Sequence, residues 1–132
     1  MKNLLRALFV TLALLAVVAP SSAAAQVKIP AGNYELVPDA NYAAGFDVSG
    51  IVVEFTESTM TAIQAGTVLV KSTTKMNGDV ITLTDVEGQL TCPSPATYKV
   101  AISAKGVRFT PVEDPCAERS AVLAQVTLVK RG

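Results

Sequence analysis

The sequence contains no histidine and no tryptophan, and only two of its 132 residues are cysteines. Without histidine, the commonest general base near neutral pH is missing, and a Ser-His-Asp or Cys-His catalytic arrangement is impossible. Two isolated cysteines are also a poor ligand set for zinc. The composition therefore predicts a protein that is not an enzyme and that has no metal site and no cofactor.

Pairs of carboxylates are the remaining candidates for catalysis. They occur at Glu54/Glu57, Asp85/Glu87 and Glu113/Asp114. Charged pairs at the edges of turns are usually solvated, and we expect the same of these three pairs. The sequence also has no glycine-rich loop between a strand and a helix of the kind that binds phosphate.

The N-terminus has the pattern of a secretion signal. Lys2 and Arg6 form a short positive region, an almost unbroken apolar run covers residues 7–18, and Ala23-Ala24-Ala25 supplies small residues for cleavage. The apolar run, at about a dozen residues, is shorter than the roughly 20 that span a bilayer, which disfavours the alternative of a retained membrane anchor. We therefore expect a cleaved signal peptide over residues 1–25, a single mature domain over residues 26–132, and export to the periplasm or the extracellular space.

The charge of the mature part disfavours two classes of partner. The chain has 11 basic and 11 acidic residues, and the basic Lys2 and Arg6 belong to the predicted signal, so nine basic residues remain against 11 acidic ones. A net charge near −2 does not favour nucleic acid or an anionic membrane, because both require clustered positive charge. We expect no nucleic acid partner and no stable membrane insertion after the signal is removed.

Cys92 and Cys116 both lie in the mature part. An even number of cysteines after a secretion signal suggests a disulfide, because disulfides persist in oxidising compartments. A free reactive thiol and a metal site are the alternatives.

Strand patterns dominate residues 26–132. β-branched and aromatic residues alternate with polar ones in short runs, which Gly, Pro, Asn and Asp separate. Asn77-Gly78-Asp79 is the strongest hairpin pattern, because Asn-Gly tolerates the positive φ angles of a tight turn. One short helix is expected over residues 114–123, with Asp114 as its N-cap and Pro115 in its first position. Strands are predicted at residues 32–37, 48–55, 59–64, 67–75, 80–86, 98–103, 107–110 and 126–130.

About eight strands joined by short turns favour an antiparallel meander. Such a meander can close into a barrel, which removes the exposed edges that invite aggregation. The predicted fold class is all-β: a single eight-stranded antiparallel up-and-down β-barrel with one short helix before the last strand. A two-sheet sandwich is the alternative, but it uses longer crossing connections.

Four short motifs resemble those of bacterial lipocalin-like, or calycin-type, small secreted β-barrels. They are a Gly-x-Tyr opening, a Gly-Asp-x-Ile-x-Leu strand, a Cys followed by a Tyr-Lys strand, and a Phe-x-Pro-Val-x-Asp-x-Cys-x-x-Arg segment. Their residues are Gly32 and Tyr34; Gly78, Asp79, Ile81 and Leu83; Cys92, Tyr98 and Lys99; and Phe109, Pro111, Val112, Asp114, Cys116 and Arg119. The family resemblance implies a barrel that holds a small ligand. Tyr34 stands where lipocalins have Trp, and the helix is much shorter than theirs.

The alternating apolar residues are either a filled core or the lining of a small hydrophobic pocket. The candidate lining consists of Tyr34, Leu36, Ile51, Val53, Phe55, Ile81, Leu83, Tyr98, Val100, Ile102 and Phe109. Asp114 and Arg119 are expected to be structural, with Arg119 reaching a carbonyl or carboxylate across the end of the barrel. The leading hypothesis is a non-enzymatic module that binds a small hydrophobic ligand in or at the mouth of the barrel. The alternative is a protein–protein interaction module with a filled core, such as a protease-inhibitor-type barrel.

Overall fold

The computed structural model describes residues 26–132, so the predicted signal peptide lies outside the described residues. The described chain forms eight strands and one helix. In chain order these are β1 (Gly32–Pro38), β2 (Ile51–Phe55), β3 (Thr59–Gln64), β4 (Thr67–Asn77), β5 (Val80–Glu87), β6 (Ala96–Ser103), β7 (Gly106–Glu113), α1 (Ala117–Leu123) and β8 (Val126–Lys130). No helix in this part of the chain is long and apolar enough to cross a membrane.

The eight strands form one closed barrel. Each strand pairs antiparallel with the next, and β8 pairs with β1 from Tyr34↔Lys130 to Pro38↔Val126. This confirms the predicted up-and-down barrel with one short helix before its last strand, and the sandwich is ruled out. Closure gives every strand a neighbour on both sides, although β7 and β8 pair at one position only, Val107↔Leu128.

The hairpin between β4 and β5 has a two-residue loop. Asn77 still pairs with Val80, so Gly78 and Asp79 form the turn. Gly78 has a φ of +62°, which glycine adopts without steric cost. The predicted Asn-Gly hairpin is therefore confirmed, but β4 extends two residues further than expected because Asn77 belongs to the strand.

The start of the helix differs from the prediction. Cys116 is the N-cap, with extended φ and ψ angles of −97° and 98°, and its side chain makes no capping bond. Asp114 instead accepts a hydrogen bond from the Cys116 backbone N–H at 2.8 Å, in a turn that precedes the helix. The expectation of Asp114 as N-cap and Pro115 in the first helical position is wrong. The Asp114 carboxylate instead accepts hydrogen bonds from Arg119 and Tyr98, and the helix begins only after Cys116.

Alternation along the strands places one row of side chains inside the barrel. In β6, Tyr98 and Val100 are buried while Lys99 and Ala101 are exposed, and β2 and β5 show the same period of two. The buried apolar side chains form a single cluster. Burying one such side chain stabilises a fold by about 1.5–3 kcal/mol relative to leaving it in water.

A disulfide joins Cys92, in the connection between β5 and β6, to Cys116 at the start of α1. The two Cα atoms are 6.5 Å apart, and the described residues contain no free cysteine. The bond confirms the predicted pairing, and it is consistent with an oxidising compartment. It attaches a connection that lacks strand structure to the helix segment before β8.

Replacing Cys116 with Ser should destabilise the domain, because the unfolded chain regains the entropy that a closed loop of about 25 residues removes. The expected loss is about 3 kcal/mol, or roughly 10 °C or more in Tm, measured by thermal unfolding followed by circular dichroism. Reduction of the wild-type protein should lower Tm similarly, and reductant should leave the variant unchanged. Equal Tm values for variant and wild type would contradict a native disulfide.

Candidate functional site

The two ends of the barrel differ. One end, which we call the open end, carries the connections after β1, β3, β5 and β7, and the last of these contains α1. The other end, the covered end, carries the short turns after β2, β4 and β6. The N-terminal segment, residues 26–30, crosses the covered end: the Val27 N–H bonds the Gly78 carbonyl at 2.9 Å, and Val27 and Ile29 pack on the core.

A cavity of about 680 Å³ extends from the open end into the barrel. Its inner wall consists mainly of apolar side chains from β1 to β5 and β8, and its mouth consists of residues from the connections after β1 and β5 and from α1. The inner wall includes Leu36, Ile51, Val53, Met60, Ala62, Leu69, Val70, Leu83 and Leu128, and the mouth includes Ala44, Phe46, Leu90, Pro93, Glu118 and Val122. The barrel is therefore hollow toward this end.

Large aromatic side chains fill the other half of the barrel. Tyr34 meets Phe55 edge-on with ring centroids 5.3 Å apart, and Tyr98 lies 5.9 Å from Phe109. The Tyr34 hydroxyl donates to the Pro30 carbonyl at 2.7 Å, which attaches the N-terminal segment to the core. Aromatic pairs of this kind contribute about 0.5–1.5 kcal/mol beyond the area that they bury. These four aromatic side chains are buried, and none of them lines the cavity.

The eleven predicted lining residues divide into three groups. Leu36, Ile51, Val53 and Leu83 line the cavity. Six others are buried in the core but do not line it, namely Tyr34, Phe55, Ile81, Tyr98, Val100 and Phe109. Ile102 is 46% exposed, so its placement in the lining is wrong. It shares the inward phase of Tyr98 and Val100, but it stands next to the last residue of β6, beside the turn into β7.

Three β-bulges interrupt the strand pairing near the open end. One extra residue stands on β4 at Leu69, one on β5 at Val86 and one on β7 at Val112. Val86 and Val112 are 57% and 63% exposed, more than any other large apolar side chain of the described chain, because each is the extra residue of a bulge. Bulges bend a strand and redirect its side chains, and they are common at barrel rims. The bulge in β4 places Leu69 at the cavity wall.

Gly88 allows the connection after β5 to approach β4. A Cβ atom at this position would lie 2.4 Å from the Leu69 carbonyl oxygen, and Gly88 has a φ of +118°. The same carbonyl accepts the Leu90 N–H at 2.8 Å. Only glycine fits this close approach, which positions Leu90 at the mouth.

A buried ionic cluster links the mouth to the wall. The Arg119 guanidinium forms two hydrogen bonds with Asp114, at 2.9 and 2.8 Å, one with Asp85 at 3.0 Å and one with the Ser94 carbonyl at 2.8 Å. The side chains of Asp114 and Asp85 are 0% and 1% exposed, and that of Arg119 is 13% exposed. Arg119 therefore joins the segment before β8 to Asp85 of β5 and to the connection that follows β5.

Neutral groups complete the cluster. The Ser72 hydroxyl donates to Asp85 at 2.6 Å, and the Cys92 backbone N–H donates to the other Asp85 oxygen at 2.9 Å. The Tyr98 hydroxyl donates to Asp114. Among residues 26–132, no buried side-chain nitrogen or oxygen lacks a hydrogen-bond partner. A fully satisfied network of this kind holds its members in one geometry.

The cluster shifts the acidity of its members. Burial acts to raise the pKa of Asp114, but hydrogen bonds from Arg119, Tyr98 and the Cys116 N–H, with the Arg119 charge, outweigh burial and hold this pKa below its ordinary value. Burial, followed by the neighbouring Asp114 carboxylate, raises the pKa of Tyr98. Tyr98 therefore stays protonated and donates, while Asp114 stays ionised and accepts.

The sequence reasoning missed several residues of the site. It placed Asp85 with Glu87 as a solvated pair, although Asp85 continues the inward phase of Ile81 and Leu83 in β5. Extending that alternation by one step would have found Asp85. Met60 and Ala62 alternate in β3 and were likewise detectable. Ser72 had no such signal, because the bulge at Leu69 shifts the phase of β4.

A second cavity, of about 460 Å³, lies beside the N-terminal segment at the covered end. Gln26, Lys28, Glu57 and Lys75 contribute to its lining, so charged and polar side chains are prominent there. The first cavity combines a more apolar wall with a single polar cluster, which is the usual composition of a small-molecule site.

Comparison of the chain with protein-family models, with curated proteins and with solved structures finds no match. The fold and the geometry of the cavity therefore carry the functional argument. Residues 26–132 therefore define a class of structure, a small closed β-barrel with one disulfide and a cavity at one end.

Replacing Arg119 with Met should strongly destabilise the barrel at neutral pH. The variant leaves the buried carboxylates of Asp85 and Asp114 without a cation, which typically costs about 3–5 kcal/mol. The loss in the free energy of unfolding should be smaller in mild acid, where a buried carboxylate that has lost its cation can take up a proton. Urea unfolding at two pH values measures both effects. Arg108→Met is the matched control, because its partner Asp39 is 30% exposed and the cost should stay below about 1 kcal/mol.

Stability should also fall in acid because of Asp114. Its pKa is lower in the folded protein than in the unfolded chain, where an aspartate has a pKa of about 3.9, so the unfolded chain binds more protons in that range. The contribution is complete above about pH 5 and is lost as pH falls through the folded-state pKa. Urea unfolding across pH 2–6 should show this slope, and Asp114→Asn should reduce it. An unchanged slope in the variant would contradict the assignment.

Proposed function

We propose that this chain is an exported, lipocalin-like, non-enzymatic binding protein that takes a small hydrophobic ligand into the cavity at the open end. The observation that carries the proposal is a largely apolar cavity of about 680 Å³ inside half of a closed barrel. Ligand pockets in proteins are typically about 300–1,000 Å³. An eight-stranded barrel is also wide enough to hold one small ligand.

The lining supports a ligand that is mostly apolar. Val53, Ala62 and Leu83 are typical of the wall, and each is buried in the barrel. Ligand sites commonly combine such walls with a few polar groups that fix orientation. The ionic cluster around Arg119 is the polar group of this wall, and it is held in place by its own hydrogen bonds.

The location of the protein is part of the same proposal. The disulfide between Cys92 and Cys116 is consistent with an oxidising compartment. The N-terminal pattern of charged, apolar and small residues is typical of a secretion signal. Together they support export, followed by function in the periplasm or outside the cell.

The alternative, a protein–protein interaction module, assumed a barrel filled by its own side chains. Only the covered half meets that assumption, since Tyr34, Phe55, Tyr98 and Phe109 pack there. The open half contains the cavity instead. We therefore favour a small ligand over a protein partner as the main function.

Filling the cavity should weaken ligand binding strongly without unfolding the barrel. Ala62 is buried, lines the cavity and lies between Val53 of β2 and Val70 of β4. In Ala62→Phe the added ring should occupy space that the ligand needs. Fluorescence titration with Nile red, a neutral apolar dye, should show saturable binding to the wild type and binding at least about tenfold weaker to the variant.

Ala101→Phe is the matched control, because the same substitution falls on an exposed residue of β6. This variant should bind the dye as the wild type does, and circular dichroism should show both variants folded. An absence of saturable binding to the folded wild type would overturn the proposed function. Equal binding by Ala62→Phe and the wild type would place the dye outside the cavity and would overturn the proposed site.

A further inference from the structure

The charged groups of the cavity indicate which class of hydrophobic ligand fits it. Three of the cavity-lining residues are charged: Asp85 in the wall, and Glu118 and Arg119 at the mouth. Arg119 is the only cation among them. Its charge is already opposed by two buried carboxylates, Asp85 and Asp114, so these three groups together carry a net charge of −1.

Hydrogen-bond accounting shows how little of Arg119 remains for a ligand. A guanidinium has five N–H donors, and four of them are used by Asp114, Asp85 and the Ser94 carbonyl. An ionised carboxylate has about four acceptor positions, and Asp85 uses three, for Ser72, Cys92 and Arg119. An anionic ligand would therefore find one free donor next to excess negative charge.

The remaining charges are unevenly distributed between the two ends. At the open end, acidic side chains lie at Asp39, Asp47, Glu87, Glu113 and Glu118. Two cations oppose them there: Lys71 stands opposite Glu87, and Arg108 pairs with Asp39. Most basic side chains lie toward the covered end, at Lys28, Lys75, Lys99, Lys105, Lys130 and Arg131, where they outnumber the acidic Glu54, Glu57 and Asp79. The charges around the mouth are therefore net negative, and a net charge of one sign around a cleft raises the local concentration of oppositely charged ligands.

We propose that the ligand of the open-end cavity is a cationic amphiphile, with an apolar chain or ring that enters the barrel and an amine or ammonium group that remains at the acidic mouth. This inference rests on the proposed function and names the ligand class of the same cavity. The head group lies near Glu118, and the tail lies against the apolar wall. A carboxylate on the same tail is disfavoured, because it would be brought toward like charges where water is partly excluded.

Three probes with the same alkyl chain test the head group. Decylammonium, decanol and decanoate each compete with Nile red for the purified protein at neutral pH and low ionic strength, below their micelle concentrations. We expect decylammonium to bind at least about tenfold more tightly than decanoate, with decanol between them. Added salt should reduce the ratio of the decylammonium affinity to the decanoate affinity, since salt screens exposed charges.

Substitution of Glu118 tests the source of the preference. Glu118 is exposed, so Glu118→Gln should fold normally and narrow the ratio between decylammonium and decanoate, and Glu118→Lys should narrow it further or reverse it. Glu54→Gln is the matched control, because Glu54 is an exposed residue of β2 that does not line the cavity and its loss changes the net charge equally. The control should keep the wild-type ratio.

The outcomes separate this inference from the proposed function. Nile red binding with decylammonium as the strongest competitor supports the inference. Three outcomes, each with Nile red binding intact, overturn the inference and leave the binding function standing. In the first, decanoate or decanol competes as strongly as decylammonium. In the second, no probe competes, and in the third, the affinity ratio of decylammonium to decanoate is unchanged in Glu118→Lys. No saturable binding of Nile red to the folded wild type overturns both.

Discussion

Pairing of β1 with β8 is the contact on which the rest of the structure depends. These strands are the first and last in the described chain, and their register from Tyr34↔Lys130 to Pro38↔Val126 turns a meander of hairpins into a closed barrel. Closure creates an inside that alternate residues of every strand must share. Without it, the buried rows would be one face of an open sheet, and there would be no enclosed cavity.

The two halves of the barrel are stabilised by different interactions. Apolar and aromatic packing, with Tyr34 against Phe55 and Tyr98 against Phe109, holds the part of the barrel that the cavity does not reach. The open half has fewer such contacts because of its cavity, and there a disulfide, three bulges and the Arg119 cluster hold the connections. Such an arrangement maintains the cavity without collapse, since a covalent bond and a satisfied ionic network do not require a filled interior.

The fold was predictable from the sequence because it depends on local patterns. Period-two alternation located the eight strands, and Asn77-Gly78 located a hairpin, since these signals act between neighbouring residues. The site was predictable only in part. Leu36, Ile51, Val53 and Leu83 line the cavity. Alternation alone could not separate them from Tyr98 or Phe109, which also point into the barrel but do not line the cavity. Ile102 shares that phase too, yet it is exposed at the end of its strand.

The sequence by itself determined the all-β class, the meander of eight strands and most of the inward faces, because these follow from residue type and from spacing along the chain. Only the tertiary structure decided which half of the barrel is hollow and which polar residues lie at its wall. Asp85, Asp114 and Arg119 come from separate segments and meet only after closure, since their attraction depends on distance in space and on burial rather than on spacing in the chain.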